Sequence, residues 1–110
     1  MAIANTLVGN TNTTILTVPT GKRYAITTLM VCNTDNYDSG GANDTTFKLY
    51  IVPDGQSIGD RNMLVNDLNV AGADTFTFDT EKIVIEEGDT VVLVAQVASR
   101  LSATISYLEV

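Results

Sequence analysis

The stretch Thr45-Thr46-Phe47-Lys48-Leu49-Tyr50-Ile51-Val52, followed by Pro53-Asp54-Gly55, decides how this chain is read. Its side chains alternate with a period of two, the period at which a pleated strand sends side chains to opposite faces. Phe47, Leu49 and Ile51 take the inward face; Thr46, Lys48 and Tyr50 take the outward one. Pro53 and Gly55 then end the strand in a turn, because proline fixes φ and withholds an N–H while glycine accepts positive φ.

The same grammar extends in both directions. Upstream, Arg23–Asn33 reads as one long strand, with Tyr24, Ile26, Thr28 and Met30 on one face and Ala25, Thr27, Leu29 and Val31 on the other. Residues 13–18 form an earlier strand, closed by the turn Pro19-Thr20-Gly21-Lys22. Residues 33–44 are a polar, glycine-containing loop with no core-forming pattern. Downstream, 56–71 is ambiguous between a short strand around 63–65 and a single helical turn capped by Asp60, and the strand is favoured. Residues 75–79 alternate with Phe76 and Phe78 inward.

The strongest hairpin signal follows. Residues 83–85 lead into Glu86-Glu87-Gly88-Asp89, and 90–97 run back, with Gly88 placed for the positive φ such a loop needs. In the returning strand Val91, Leu93, Ala95 and Val97 share a face, yet Val92 and Val94 are apolar as well. A strand apolar on both faces is covered on both, by its own fold or by a neighbouring subunit. The last strand, 103–110, puts Ile105 and Tyr107 on one face and Leu108 and Val110 on the other.

About seven to eight short strands with no sustained helical period describe an all-β chain, an antiparallel β-sandwich of jelly-roll or Ig-like Greek-key type. Threonine occurs 16 times, which suits pleated, half-exposed surfaces. A chain of 110 residues fits one domain, expected over 13–110 and preceded by an arm, 1–12, that orders against a neighbour.

Charge and chemistry narrow the function. The chain carries 13 acidic and 6 basic residues, a formal net charge of −7, and no basic cluster larger than Lys22-Arg23. Phosphate neutralisation needs a basic stripe, so neither nucleic acid nor an anionic membrane surface is an expected partner. Histidine is absent, which removes Ser-His-Asp and Cys-His nucleophilic arrangements and His-ligated metal centres. An enzyme is not expected, and neither is a cofactor.

The lone Cys32 lies in an apolar strand without a neighbouring base, a setting for a structural thiol rather than a reactive one. Asp35, Asp38, Asn43 and Asp44 offer hard oxygen ligands of the kind Ca²⁺ takes. Their order departs from the EF-hand pattern, and the plainer reading is a loop that satisfies its own backbone. Glu81, Glu86, Glu87 and Asp89 crowd one hairpin end as a solvated tip that blunts edge pairing. Tyr37, Tyr50 and Tyr107 are the candidates for stacking on a sugar, without tryptophan to help.

The run Leu16-Thr17-Val18-Pro19-Thr20-Gly21-Lys22-Arg23-Tyr24, continuing to Cys32-Asn33, pairs with Val52-Pro53-Asp54-Gly55, Ile85-Glu86-Glu87-Gly88-Asp89-Thr90-Val91 and the ending Ile105-Ser106-Tyr107-Leu108-Glu109-Val110. In this order and spacing the chain resembles small virion structural proteins of tailed bacteriophages, of the kind that infect cyanobacteria. The resemblance implies a β-sandwich subunit of a particle, either a capsid-decorating cement protein or a tail or neck accessory protein, and it carries over no catalytic residue. Implied partners are further copies of the chain, with a trimer favoured, and the major capsid or other virion proteins. The implied location is the virion, assembled in the host cytoplasm. A tail or fibre module binding carbohydrate or a host surface is the alternative. Val92, Val94, Leu108 and Val110, with Ile3 and Leu7 on the arm, are the expected interface residues.

Overall fold

A computed structural model describes residues 2–78 and 83–110. The described chain is an antiparallel β-sandwich of nine strands: β1 Ala2–Leu7, β2 Thr13–Thr17, β3 Arg23–Asn33, β4 Thr45–Val52, β5 Met63–Val70, β6 Thr75–Phe78, β7 Ile83–Glu86, β8 Thr90–Ala95 and β9 Leu101–Glu109. One sheet has the order β1-β9-β3-β6, with β7 also pairing β3; the other has the order β2-β8-β4-β5.

The core lies between the sheets and is built by alternation. Phe47 and Leu49 of β4 face Leu93 of β8 and meet Leu29, Val31, Ile85 and Ile105 from the opposite sheet, all fully or nearly fully buried. Burying each such side chain contributes about 1.5–3 kcal/mol. Phe47 and Phe76, from opposite sheets, tilt against each other with ring centroids 5.7 Å apart, fastening the layers at one end.

Four features differ from the reading of the sequence. Residues 2–7, expected in an arm that reaches for a neighbour, form an edge strand laid along β9 of the same chain, with Ala4 opposite Ile105. Its even-numbered residues Ala4 and Thr6 complete an alternation too weakly apolar to announce a strand. The ambiguous region yields both alternatives: one 3₁₀ turn at Asp60–Asn62, then a strand that continues to Val70.

The expected hairpin is a corner. β7 pairs β3, whereas β8 pairs β2 and β4 in the other sheet. The turn between them is tight, with the Asp89 N–H on the Glu86 carbonyl at 3.0 Å, but it is also stitched to β2 by Gly88 N–H to the Val18 carbonyl at 3.0 Å. Turn residues mark where a chain reverses; the inward-facing Ile85 and Val91 decide that it reverses across the core.

The fourth difference is a bulge. The β3–β9 register shifts between Ile26 and Thr28, leaving Thr27 as the extra residue, and its Oγ1 donates to the Ser106 carbonyl at 3.2 Å. The shift turns Tyr24 and Ile26 onto the same inward side as Leu29 and Val31. Tyr24 thereby meets Tyr107 at 4.5 Å between ring centroids. Strict alternation had separated them.

Candidate functional site

Of the six expected interface residues, Val92 is covered by its own chain. It is 2 % exposed and packs in a small outer cluster with Tyr50 and Val52, against which Ile58, Met63 and Val94 also rest. The connection between β4 and β5 folds back over the sheet to make this cover. The apolar second face of β8 is therefore answered mainly within the subunit. Ile3, Leu7, Leu108 and Val110 are exposed, at 66, 55, 43 and 54 %.

The register brings most of these onto one surface. β1 aligns Ile3, Asn5 and Leu7 with Ser106, Thr104 and Ser102 of β9, on the side away from the core. β9 in turn sets Thr104 beside Met30 and Ser102 beside Cys32 of β3. Thr75 and Thr77 of β6 and Val84 of β7 continue the row, opposite Cys32, Met30 and Ala25. Among the described residues, this outer face from β1 to β7 carries no charged side chain until Arg23 and Glu86 meet at one end.

Such a face is unusual on a chain whose formal charge is −7. Four strands abreast and a β9 of nine residues make it about 20 Å by 30 Å. It joins exposed Ile3, Leu7, Met30, Val84 and Leu108 through a floor of Thr and Ser. Short hydroxylated side chains lie low on a pleated sheet and lose little rotamer entropy when covered. A surface of this kind, apolar and hydroxylated, suits contact with another protein face.

The other candidates are occupied by structural work. In the loop 33–44, Asp35 pairs with Arg100 at 2.8 Å, Asp38 accepts the Ala42 N–H at 2.9 Å, and Asp44 accepts from Asn69 Nδ2 at 3.1 Å. Among the described residues no three His, Cys, Asp or Glu side chains converge as a metal centre would need. The hairpin acids act as corner brackets: Asp89 accepts the Asp54 and Glu86 N–H groups at 2.9 Å each, and Glu87 accepts the Gly21 N–H at 3.2 Å. Glu81 lies outside the described residues. Tyr50 is buried and Tyr107 is stacked on Tyr24, so of the three tyrosines only Tyr37 stands clear, at 68 % exposure. Cys32 is half-buried on the uncharged face, its Sγ 3.7 Å from the Asn33 carbonyl oxygen.

A shallow hollow on the opposite sheet is lined by Thr46, Lys48, Asp67, Val94 and Gln96. Its charges are matched to each other, Lys48 Nζ lying 2.6 Å from Asp67 Oδ1.

Met30 and Val84 are the face residues that reading the sequence missed. The signal for Val84 was present in Ile83-Val84-Ile85, a run apolar on both faces like that of β8, where only the inner face finds cover. Compared with protein-family models, with curated proteins and with solved structures, the chain finds no significant match.

Proposed function

We propose that this chain is a non-enzymatic structural subunit of a tailed-phage virion, cementing or decorating the capsid through β-sandwich contacts with copies of itself and with the shell. The observation that carries the proposal is the outer face of the five-stranded sheet, uncharged among the described residues but for Arg23 and Glu86 at one end, which exposes Met30, Val84 and Leu108 on a sheet backed by the second layer of the sandwich. Its dimensions approach the ~800 Å² per partner of a standard stable interface. Each contact is modest once association costs are subtracted. Repetition on a lattice multiplies modest contacts into firm attachment, which is the work of a cement protein.

The chemistry around the face agrees with that role. Among the described residues the acids occupy loops, turns and strand ends, except Asp67 within β5, which pairs with Lys48 in the four-stranded sheet, and the net negative charge keeps subunits soluble and apart until a matching surface is met. Val84→Glu places a charge on the contact face without touching the core, since Val84 is 53 % exposed. Its expected effect on folding stability is within about 0.5 kcal/mol, together with loss of the chain from particles.

The test is immunogold labelling and quantitative mass spectrometry of gradient-purified particles produced with the wild-type chain or with Val84→Glu. Regularly spaced copies of the wild-type chain, and their loss in the variant, are expected. Particles that lack the wild-type chain, or that retain the folded variant at the same copy number, overturn the proposal.

A further inference from the structure

The five-stranded sheet ends at β1, and this edge is unlike the others. β2 is bulged between Thr14 and Leu16. β5 carries two register shifts against β4 and holds Asp67 at φ 50°, so it twists away from any flat neighbour. β6 and β7 are four residues each, with Asp74 before one and Glu86 closing the other. These are the devices by which proteins prevent strands from adding to a sheet. β1, Ala2-Ile3-Ala4-Asn5-Thr6-Leu7, has six residues in unbroken register, with no charge and no proline.

The ladder shows which backbone groups this edge offers. In continuation of the β1–β9 register, the Val8 N–H donates to the Leu101 carbonyl at 2.8 Å. Because an antiparallel strand turns alternate residues to alternate neighbours, Ala4 and Thr6 bond β9 like Val8, while Ile3, Asn5 and Leu7 hold their N–H and C=O groups on the open side. The side chains of those same three residues lie on the uncharged face.

We propose that two copies join β1 to β1, antiparallel about a two-fold axis at Asn5, fusing their five-stranded sheets into one. The inference rests on reading the chain as an assembly subunit, and it names the partner of this edge. This edge is self-complementary. Centred on Asn5, the open residues read the same in both directions, apolar, amide, apolar, so Ile3 of each copy meets Leu7 of the other and the two Asn5 amides face each other. Three such pairs exchange about six backbone hydrogen bonds, because each pair facing across the ladder exchanges two. Ile3 and Leu7, 66 and 55 % exposed in the single subunit, gain cover on joining. A three-fold ring would instead need β1 to meet a different edge, and each of those is bulged, short or acidic.

The test combines sedimentation across a dilution series with residue-resolved amide exchange. The wild-type chain is expected to have dimer mass, dissociating on dilution. The Ile3, Asn5 and Leu7 amides should be protected in the dimer and exchange freely when diluted, while those of Ala4 and Thr6 stay protected throughout. Asn5→Pro removes only an outward N–H, a position where an edge strand accepts proline, and should halve the mass while leaving the circular dichroism unchanged. If that variant fails to fold, the wild-type exchange pattern decides. A wild-type monomer at all concentrations, a trimer, or unprotected Asn5 and Leu7 amides in a dimer overturn the inference, as does a folded Asn5→Pro that remains dimeric. Where Val84→Glu dissociates the dimer and Asn5→Pro does not, the edge pairing falls and the face contact stands.

Discussion

At 1 % exposure, the Asn33 side chain is buried at the loop end of the sandwich with every polar atom used. Its Nδ2 donates to the Asn43 and Val70 carbonyls at 2.8 and 3.0 Å, and its Oδ1 accepts the Asp35 N–H at 3.0 Å. One amide thus ties both ends of the loop 33–44 to the end of β5. Gly72 lets the two segments close, since a Cβ there would lie 2.1 Å from the Asn36 carbonyl oxygen. Asn33→Asp keeps the shape but sets an acceptor against two carbonyls, and Asn33→Ala leaves three backbone groups without partners. Both are expected to lose about 2–4 kcal/mol in urea unfolding, with faster exchange of the Asp35 amide and no change in subunit association. Nothing in the order of the residues singles out Asn33 from the other asparagines. Its importance comes from where β5 and β9 deliver their ends. Of the acids in the same loop only Asp38 bonds local backbone as the sequence led one to expect; Asp35 turns to Arg100 and Asp44 to Asn69, partners that only the tertiary structure delivers.

Gly88 and Gly55 both adopt the left-handed region, with φ of +85° and +82°. An alanine Cβ at Gly55 meets nothing within 4 Å, whereas at Gly88 it would lie 2.4 Å from Asp54 Cγ, against the segment that Asp89 brackets. Gly55→Ala is therefore expected to lose about 1–2 kcal/mol, the strain of the backbone alone, and Gly88→Ala about 3 kcal/mol or more, because the corner must also open. Urea midpoints of the two variants check the order; equal losses would remove the corner argument. Most strands were legible from their own residues: β3 and β4 agree with their expected bounds, and Phe76 and Phe78 face the core as their alternation requires. β1 was not, because Ala2-Ile3-Ala4 has no apolar period until β9 supplies one. The bulge at Thr27 was not either, since it is a property of the β3–β9 pair rather than of either strand.

For the whole molecule the deciding contrast is between a strongly acidic chain and proposed contact surfaces whose described residues, Arg23 and Glu86 at one end aside, carry no charge. Two copies at a net charge of −7 each repel at long range, while the β1 edge and the outer face offer no ion pairs to weaken. Added salt shortens the screening length from about 30 Å at 0.01 M to about 10 Å at 0.1 M, so self-association should tighten several-fold over that range. Sedimentation at graded salt checks it, and a dissociation constant that rises with salt would point to an interface held by charged groups instead. The sequence by itself determined the all-β class and the positions of most strands. Period, turn chemistry and composition are local properties, readable without neighbours. Only the tertiary structure decided which strands share a sheet, that the turn 86–89 crosses the core, and that Val92 is covered while Val84 is bare. Those outcomes depend on which surfaces find a partner when the layers close, and an apolar side chain carries no mark of which layer it will meet.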